Sequence, residues 1–126
     1  MKLIIAGSRK VLDKSVVEEG IRLALAQWNL PVEEVVSGKQ VTYKYGRPVG
    51  GVDWFGEQWA QEHGIPVKPF PADWARFRKP AGMIRNRQMA AYGTHLVAVW
   101  NGVSPGTANM IDEMQKLGKP VYVHRV

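Results

Sequence analysis

The chain has 126 residues, the size of one ordinary domain, and carries 17 Lys and Arg against 11 Asp and Glu for a formal charge of +6. It has no cysteine, which excludes disulfides, thiolate nucleophiles and thiolate metal ligands, and His63, His95 and His124 are too scattered to form a metal motif. The positive balance favours anionic partners such as nucleotides, phosphate groups or nucleic acid.

The first apolar run, KLIIAG, predicts a strand, and a helix is expected to open at Ser15, where Ser15 and Glu18 have capping-box spacing. Val17, Ile21, Ala24 and Trp28 repeat on one face of that helix. EEVVSG predicts a second strand, and KQVTYKYGRPVGG reads as a long polar, aromatic and basic loop. A helix follows from about Val52 to His63, closed by Gly64. IPVKPF predicts a third strand, in which Pro66 and Pro69 either count against a strand or set it at a sheet edge.

The densest basic segment, ARFRKPAGMIRNR, reads at Arg76, Arg78 and Lys79 as a solvated face. A helix is expected near Ala81 to Tyr92, ended by Gly93, and then THLVAVW, whose unbroken apolar character suits a central parallel strand buried on both faces. The last helix carries Met110, Ile111, Met114 and Leu117 on one side, GKP stops it, and VYVHRV makes the final strand. Strands and helices alternate without linker or repeat, which predicts a single three-layer α/β domain over residues 1–126 with a mostly parallel sheet of about five strands. The N-terminus starts on a strand rather than a signal peptide and no run reaches membrane-spanning length, so a cytoplasmic protein without a membrane partner is expected.

In such sheets ligands bind beyond the carboxyl ends of the strands, where helix N-termini point free N–H groups outward. The small and flexible residues gather at those ends: Gly7, Ser8 and Arg9 after the first strand, Ser37 and Gly38 after the second, and Ser104, Gly106 and Thr107 after the fourth. Arg85 and Asn86 open a helix face expected beside the last of these turns. Asp53 has two roles open to it, holding ribose hydroxyls or capping the helix beside it, and capping is the commoner. Trp54, Trp59, Trp74 and Trp100 read as core or interface residues. GVDWFGEQ has the glycine spacing of a Walker A loop but Glu57 and Gln58 replace its Lys and Ser/Thr, and no GxGxxG follows the first strand. No metal and no cofactor are expected.

MKLIIAGSR, VVSG, GVDWFGEQWAQEHGIPVKPFPADW, AGMIRNRQMA and LVAVWNGVSPGTANMI, in that order, resemble the SLOG superfamily, in its small YspA-like (DUF2493) branch. The resemblance covers nearly the whole chain. It implies a Rossmann-like domain with a pocket for a nucleotide or nucleotide-derived ligand, and a homo-oligomer. LOG-type phosphoribohydrolases in that superfamily carry an Arg four residues before a Met, matched here by Arg85 and Met89, and a Gly-Thr followed three residues later by a catalytic Glu. Here that third residue is Met110, whose thioether cannot act as a carboxylate does.

A nucleotide-binding sensor or sequestering module is therefore the first expectation. The alternative is a LOG-like hydrolase of an N-glycosidic bond, with Asp53, Glu57 or Asp112 supplying the missing carboxylate. DprA-like binding of single-stranded nucleic acid through the basic surface is the third and less favoured reading.

Overall fold

The computed structural model describes residues 1–126. In chain order the elements are β1 (Lys2–Gly7), α1 (Lys14–Trp28), β2 (Glu34–Ser37), β3 (Thr42–Lys44), β4 (Arg47–Gly50), α2 (Val52–Glu62), β5 (Val67–Pro69), α3 (Trp74–Phe77), α4 (Ala81–Tyr92), β6 (His95–Trp100), α5 (Pro105–Lys116) and β7 (Val121–Arg125). Five strands form one sheet in the order β5-β2-β1-β6-β7, and every pairing in it is parallel. This is the three-layer Rossmann-like architecture that the alternation of elements implies. β5 lies at an edge, as its prolines require. β6 is internal, although β1 holds the middle position.

Burial on both faces explains the unbroken apolar runs. Leu3 and Ile5 of β1, Val35 of β2, and Val97 and Val99 of β6 pack with Val17, Ile21 and Ala24 of α1 and Val52, Phe55 and Trp59 of α2. Ile4, Ala6, Val36, Leu96 and Ala98 point the other way, onto Met89 and Ala90 of α4 and Met110, Ile111 and Met114 of α5. The period-two alternation of each strand thus feeds two cores rather than one core and solvent. Leu117, expected on the apolar face of α5, lies past its last turn and is 53% exposed.

Two local expectations are corrected, and one exposed segment is found to carry a short helix. Helix α1 is capped by Asp13 rather than Ser15: its carboxylate accepts from the Ser15 N–H at 3.0 Å and from the Ser15 hydroxyl at 2.6 Å. The segment read as a loop contains a hairpin, β3-β4, whose two turn residues Tyr45 and Gly46 both have positive φ, 51° and 75°. A two-residue turn of that handedness matches the twist of paired strands. The hairpin stands outside the main sheet, tied down where the Thr42 hydroxyl donates to the Arg9 carbonyl and the Gly51 N–H donates to Val11 O at 2.7 Å. Finally, the basic segment begins with a one-turn helix, α3, capped by Asp73, which accepts from the Arg76 N–H at 3.1 Å.

Helix α4 has the expected bounds, and its carboxyl end is capped from outside. The Lys119 ammonium donates to Ala90 O at 2.6 Å and Gly93 O at 2.9 Å, placing a cation on the negative end of the helix dipole. No helix is long and apolar enough to cross a membrane.

Candidate functional site

From β1 the chain crosses through α1 to β2 on one side, and from β6 through α5 to β7 on the other. The strand order therefore reverses between β1 and β6. Beyond the carboxyl ends of these two strands lies a cleft of about 870 Å³, in the size range of small-molecule sites. Its walls are the turn Gly7–Lys10, Gln40 and Asp53, the stretch from Trp74 to Met89 on α3 and α4, and the turn from Asn101 into the first turns of α5.

Gly7 is at this turn for reasons of packing. A Cβ there would sit 2.3 Å from Val99 O and 2.7 Å from Val52 Cγ2, so only glycine lets β1 lie this close to β6 and α2. Ser8 shapes the turn: its hydroxyl accepts from the Lys10 N–H at 3.1 Å and its carbonyl accepts from Val52 N–H at 3.2 Å. Arg9 and Lys10 are left exposed on the rim. Arg9 forms no ion pair with Glu57, which binds Lys39 instead at 2.7 Å.

The opposite wall is the amino end of α5. Asn101 Oδ1 accepts from the Val103 and Ser104 N–H groups at 2.9 and 2.8 Å and turns the chain into the helix, with Gly102 at φ 83°. Pro105 occupies the start, where the absent N–H loses nothing. The Gly106 and Thr107 N–H groups have no acceptor in the chain. A Cβ on Gly106 would meet nothing within 4 Å, so there is open space beside the backbone at that residue. The Trp100 indole N–H donates to Ser104 O at 3.1 Å and holds the turn against the end of β6.

Arg85 and Asn86 join the two walls. Arg85 is 7% exposed; its Nε donates to Asn86 Oδ1 at 3.0 Å and its Nη1 to Gly38 O at 2.5 Å. Asn86 Nδ2 in turn donates to Asn109 Oδ1 at 2.9 Å and Gly106 O at 3.2 Å. No fully buried side-chain nitrogen lacks a partner, so Arg85 Nη2, the one guanidinium nitrogen without a bond in the chain, keeps contact with solvent; Arg85 lines both this cleft and a smaller neighbouring pocket beside Asp73 and Gln88. Asp53 is equally buried and its carboxylate accepts from the Gln40 N–H at 3.1 Å. Burial pushes its pKa up to about 6, against the downward pull of the Gln40 bond and the Arg85 charge.

Of the sequence-derived site residues, Gly7, Ser8, Arg9, Asp53, Arg85, Asn86, Ser104, Gly106 and Thr107 line this one cleft. Ser37, Gly38, Glu57 and Asp112 do not. The Ser37 hydroxyl is buried behind the cleft, donating to Glu57 Oε2 at 2.7 Å and accepting from the Lys39 N–H at 3.1 Å. Gly38 leaves room for its neighbours, since a Cβ there would be 2.7 Å from Arg85 Nη1 and 2.9 Å from Asp53 Oδ2. Asp112 is exposed on α5 and pairs with Lys116 at 3.0 Å. Met110, 1% exposed, reaches the cleft only from beneath.

Two features escape the sequence. Gln40 enters through its backbone bond to Asp53, which no side-chain pattern signals. Trp74, read as core or interface, is 53% exposed and lines the cleft beside Met83 and Lys79. The FPADW stretch held the signal, an Asp cap one residue before an aromatic. No group of three or more His, Cys, Asp or Glu is placed to hold a metal ion. Comparisons with protein-family models, curated proteins and solved structures find no match.

Proposed function

We propose that this chain binds a nucleotide or nucleotide-derived ligand in the cleft between β1 and β6, as a sensor or sequestering module. The observation that carries this reading is that one cleft, at the switch point of a parallel sheet, is lined both by Gly106 and Thr107, whose N–H groups are free, and by Arg85, whose Nη2 makes no hydrogen bond in the chain. Oriented backbone donors and a helix dipole suit a phosphate, and Arg9, Lys10 and Lys79 on the walls add charge of the same sign. The resemblance of the sequence to the SLOG superfamily supports the same ligand class. Thermal unfolding with a panel of mononucleotides, dinucleotides and ADP-ribose tests it, because a ligand bound only by the folded state raises the melting temperature by mass action. A rise with at least one member supports the reading; a flat response across the panel at millimolar ligand overturns it.

One observation favours a second reading, hydrolysis of an N-glycosidic bond. Asp53 is a buried carboxyl on the cleft wall with a pKa near 6, so it can hold or release a proton close to neutral pH. Among the carboxylates considered from sequence it is the one within reach of a bound ligand, since Glu57 is engaged with Ser37 and Lys39 and Asp112 faces solvent. Free base released from a nucleoside monophosphate, and lost in Asp53→Asn, would establish this activity. A protein that binds the nucleotide and releases no base is a binding module.

A further inference from the structure

We propose that Trp74 is the base platform of the cleft, so that the ligand is one carrying an aromatic base and not a bare phosphorylated sugar. This rests on the reading of the cleft as a nucleotide site and extends it to the other end of the ligand.

Trp74 is unlike the other tryptophans of the chain. Trp28, Trp54 and Trp59 each pack against another ring, and Trp100 has the Arg125 guanidinium 5.6 Å from its ring centroid. Trp74 has neither kind of partner and remains 53% exposed. The backbone that carries it is nevertheless fixed. The Asp73 cap sets the single turn of α3, and the Arg78 N–H closes that turn by donating to Trp74 O at 2.9 Å, with Arg78 at φ 56°.

Gly82 relates the ring to the guanidinium. A Cβ on Gly82 would be in ordinary contact with both, 3.4 Å from Trp74 Cη2 and 4.0 Å from Arg85 Nη2, so the indole edge and the unbonded guanidinium nitrogen flank the same position of α4. Met83, 53% exposed, adjoins on the same wall, and Val103, 79% exposed, adds apolar surface from the turn before α5. A cleft with phosphate-type donors at one place and an unpartnered indole with two exposed apolar side chains at another has the polarity of a nucleotide. Stacking on an indole accepts any base, since every base offers a π face.

The test is calorimetric titration of wild type, Trp74→Ala and Trp74→Phe with AMP and, separately, with ribose 5-phosphate, which keeps the sugar and phosphate and lacks the base. AMP is expected to bind wild type more tightly than ribose 5-phosphate. Trp74→Ala should weaken AMP roughly fivefold to 150-fold and leave ribose 5-phosphate unchanged, while Trp74→Phe keeps most of the AMP affinity. Unliganded melting curves confirm that both variants fold. Equal wild-type affinity for the two ligands, or a Trp74→Ala protein that binds AMP normally or loses both ligands alike, overturns the platform and leaves the phosphate end of the cleft standing. Binding of neither ligand to wild type counts against the nucleotide site itself, a result read from the wild-type titrations alone.

Discussion

Arg85 Nη1 reaches from α4 to the carbonyl of Gly38, just past the end of β2, at 2.5 Å. The same guanidinium binds Asn86, and Asn86 binds Gly106 and Asn109, so a chain of hydrogen bonds runs behind the cleft from β2 to the start of α5. Arg85 is thus a brace through Nε and Nη1, and its Nη2 makes no hydrogen bond in the chain.

Arg85→Ala is therefore expected to fail twice. It strands a buried carbonyl and removes the cation beside Asp53, which should lower unliganded stability by about 1.5–3 kcal/mol, the range for hydrogen bonds to charged groups. It should also weaken ligand binding about tenfold or more by the same range, and raise the Asp53 pKa further. Arg76→Ala, on exposed α3, should change neither quantity. Urea unfolding and calorimetry on both variants separate the effects: an Arg85→Ala protein of wild-type stability would show that the Gly38 bond contributes nothing.

Asp53 makes a pH prediction. Its pKa is raised from 3.8 in the unfolded chain to about 6 in the folded one, so between those values the folded state holds an extra proton and stability falls as pH rises. Above about pH 6 the loss is complete and amounts to roughly 3 kcal/mol, at 1.36 kcal/mol for each tenfold step. Asp53→Asn keeps an acceptor for the Gln40 N–H and removes the buried charge. It should be more stable than wild type at pH 7.5, little different at pH 3.5, and should lack the fall between pH 4 and 6 that Asp53 contributes. Unfolding curves across that range check it, and a wild-type profile in the variant contradicts it.

The glycines of the two walls should behave in opposite ways. Gly7→Ala forces a methyl onto Val99 O and Val52 and should cost about 1–3 kcal/mol or more, as overpacking does. Gly106→Ala meets no atom of the chain within 4 Å and lies in the first turn of α5, so stability should hold or rise by up to about 1 kcal/mol. Gly106 lines the cleft, so the added methyl is expected to lower ligand affinity without any loss of folding. Melting curves with and without nucleotide distinguish the two variants.

Salt distinguishes a pocket from a strand-binding surface. The hairpin presents Tyr43, Lys44, Tyr45 and Arg47 to solvent, the composition of a single-strand platform. Neutralising several phosphates gives a steep log-log fall of affinity with salt, whereas one enclosed nucleotide loses much less. Oligonucleotide binding is expected to be weak at physiological salt. Tight, cooperative binding that persists there would favour the nucleic-acid reading.

The sheet was legible because its strands are apolar on both faces and its helices end on Gly64, Gly93 and the GKP stop. The hairpin was not: its turn is Tyr45-Gly46, and a tyrosine at φ 51° lacks the Asn-Gly signature that marks such turns. At the site, the clustering of Gly7, Ser8, Gly106 and Thr107 followed from their places just past the carboxyl ends of parallel strands. The roles of Ser37 and Glu57 did not, because their mutual hydrogen bond is a tertiary pairing between β2 and α2. Exposure at 53% removes Trp74 from the core and leaves the interface reading open, and its place on the cleft wall was not legible because it depends on how α3 packs beside α4.

The most direct test of the nucleotide cleft is a titration of uniformly ¹⁵N-labelled protein with AMP, followed residue by residue in amide and indole resonances. Saturable shifts are expected at the Gly106 and Thr107 amides, at Ser8 and Arg9, and at the Trp74 indole, with the hairpin tip at Tyr45 unmoved. No shifts at millimolar AMP, or shifts confined to the hairpin and the exposed basic surface, would contradict a nucleotide site between β1 and β6.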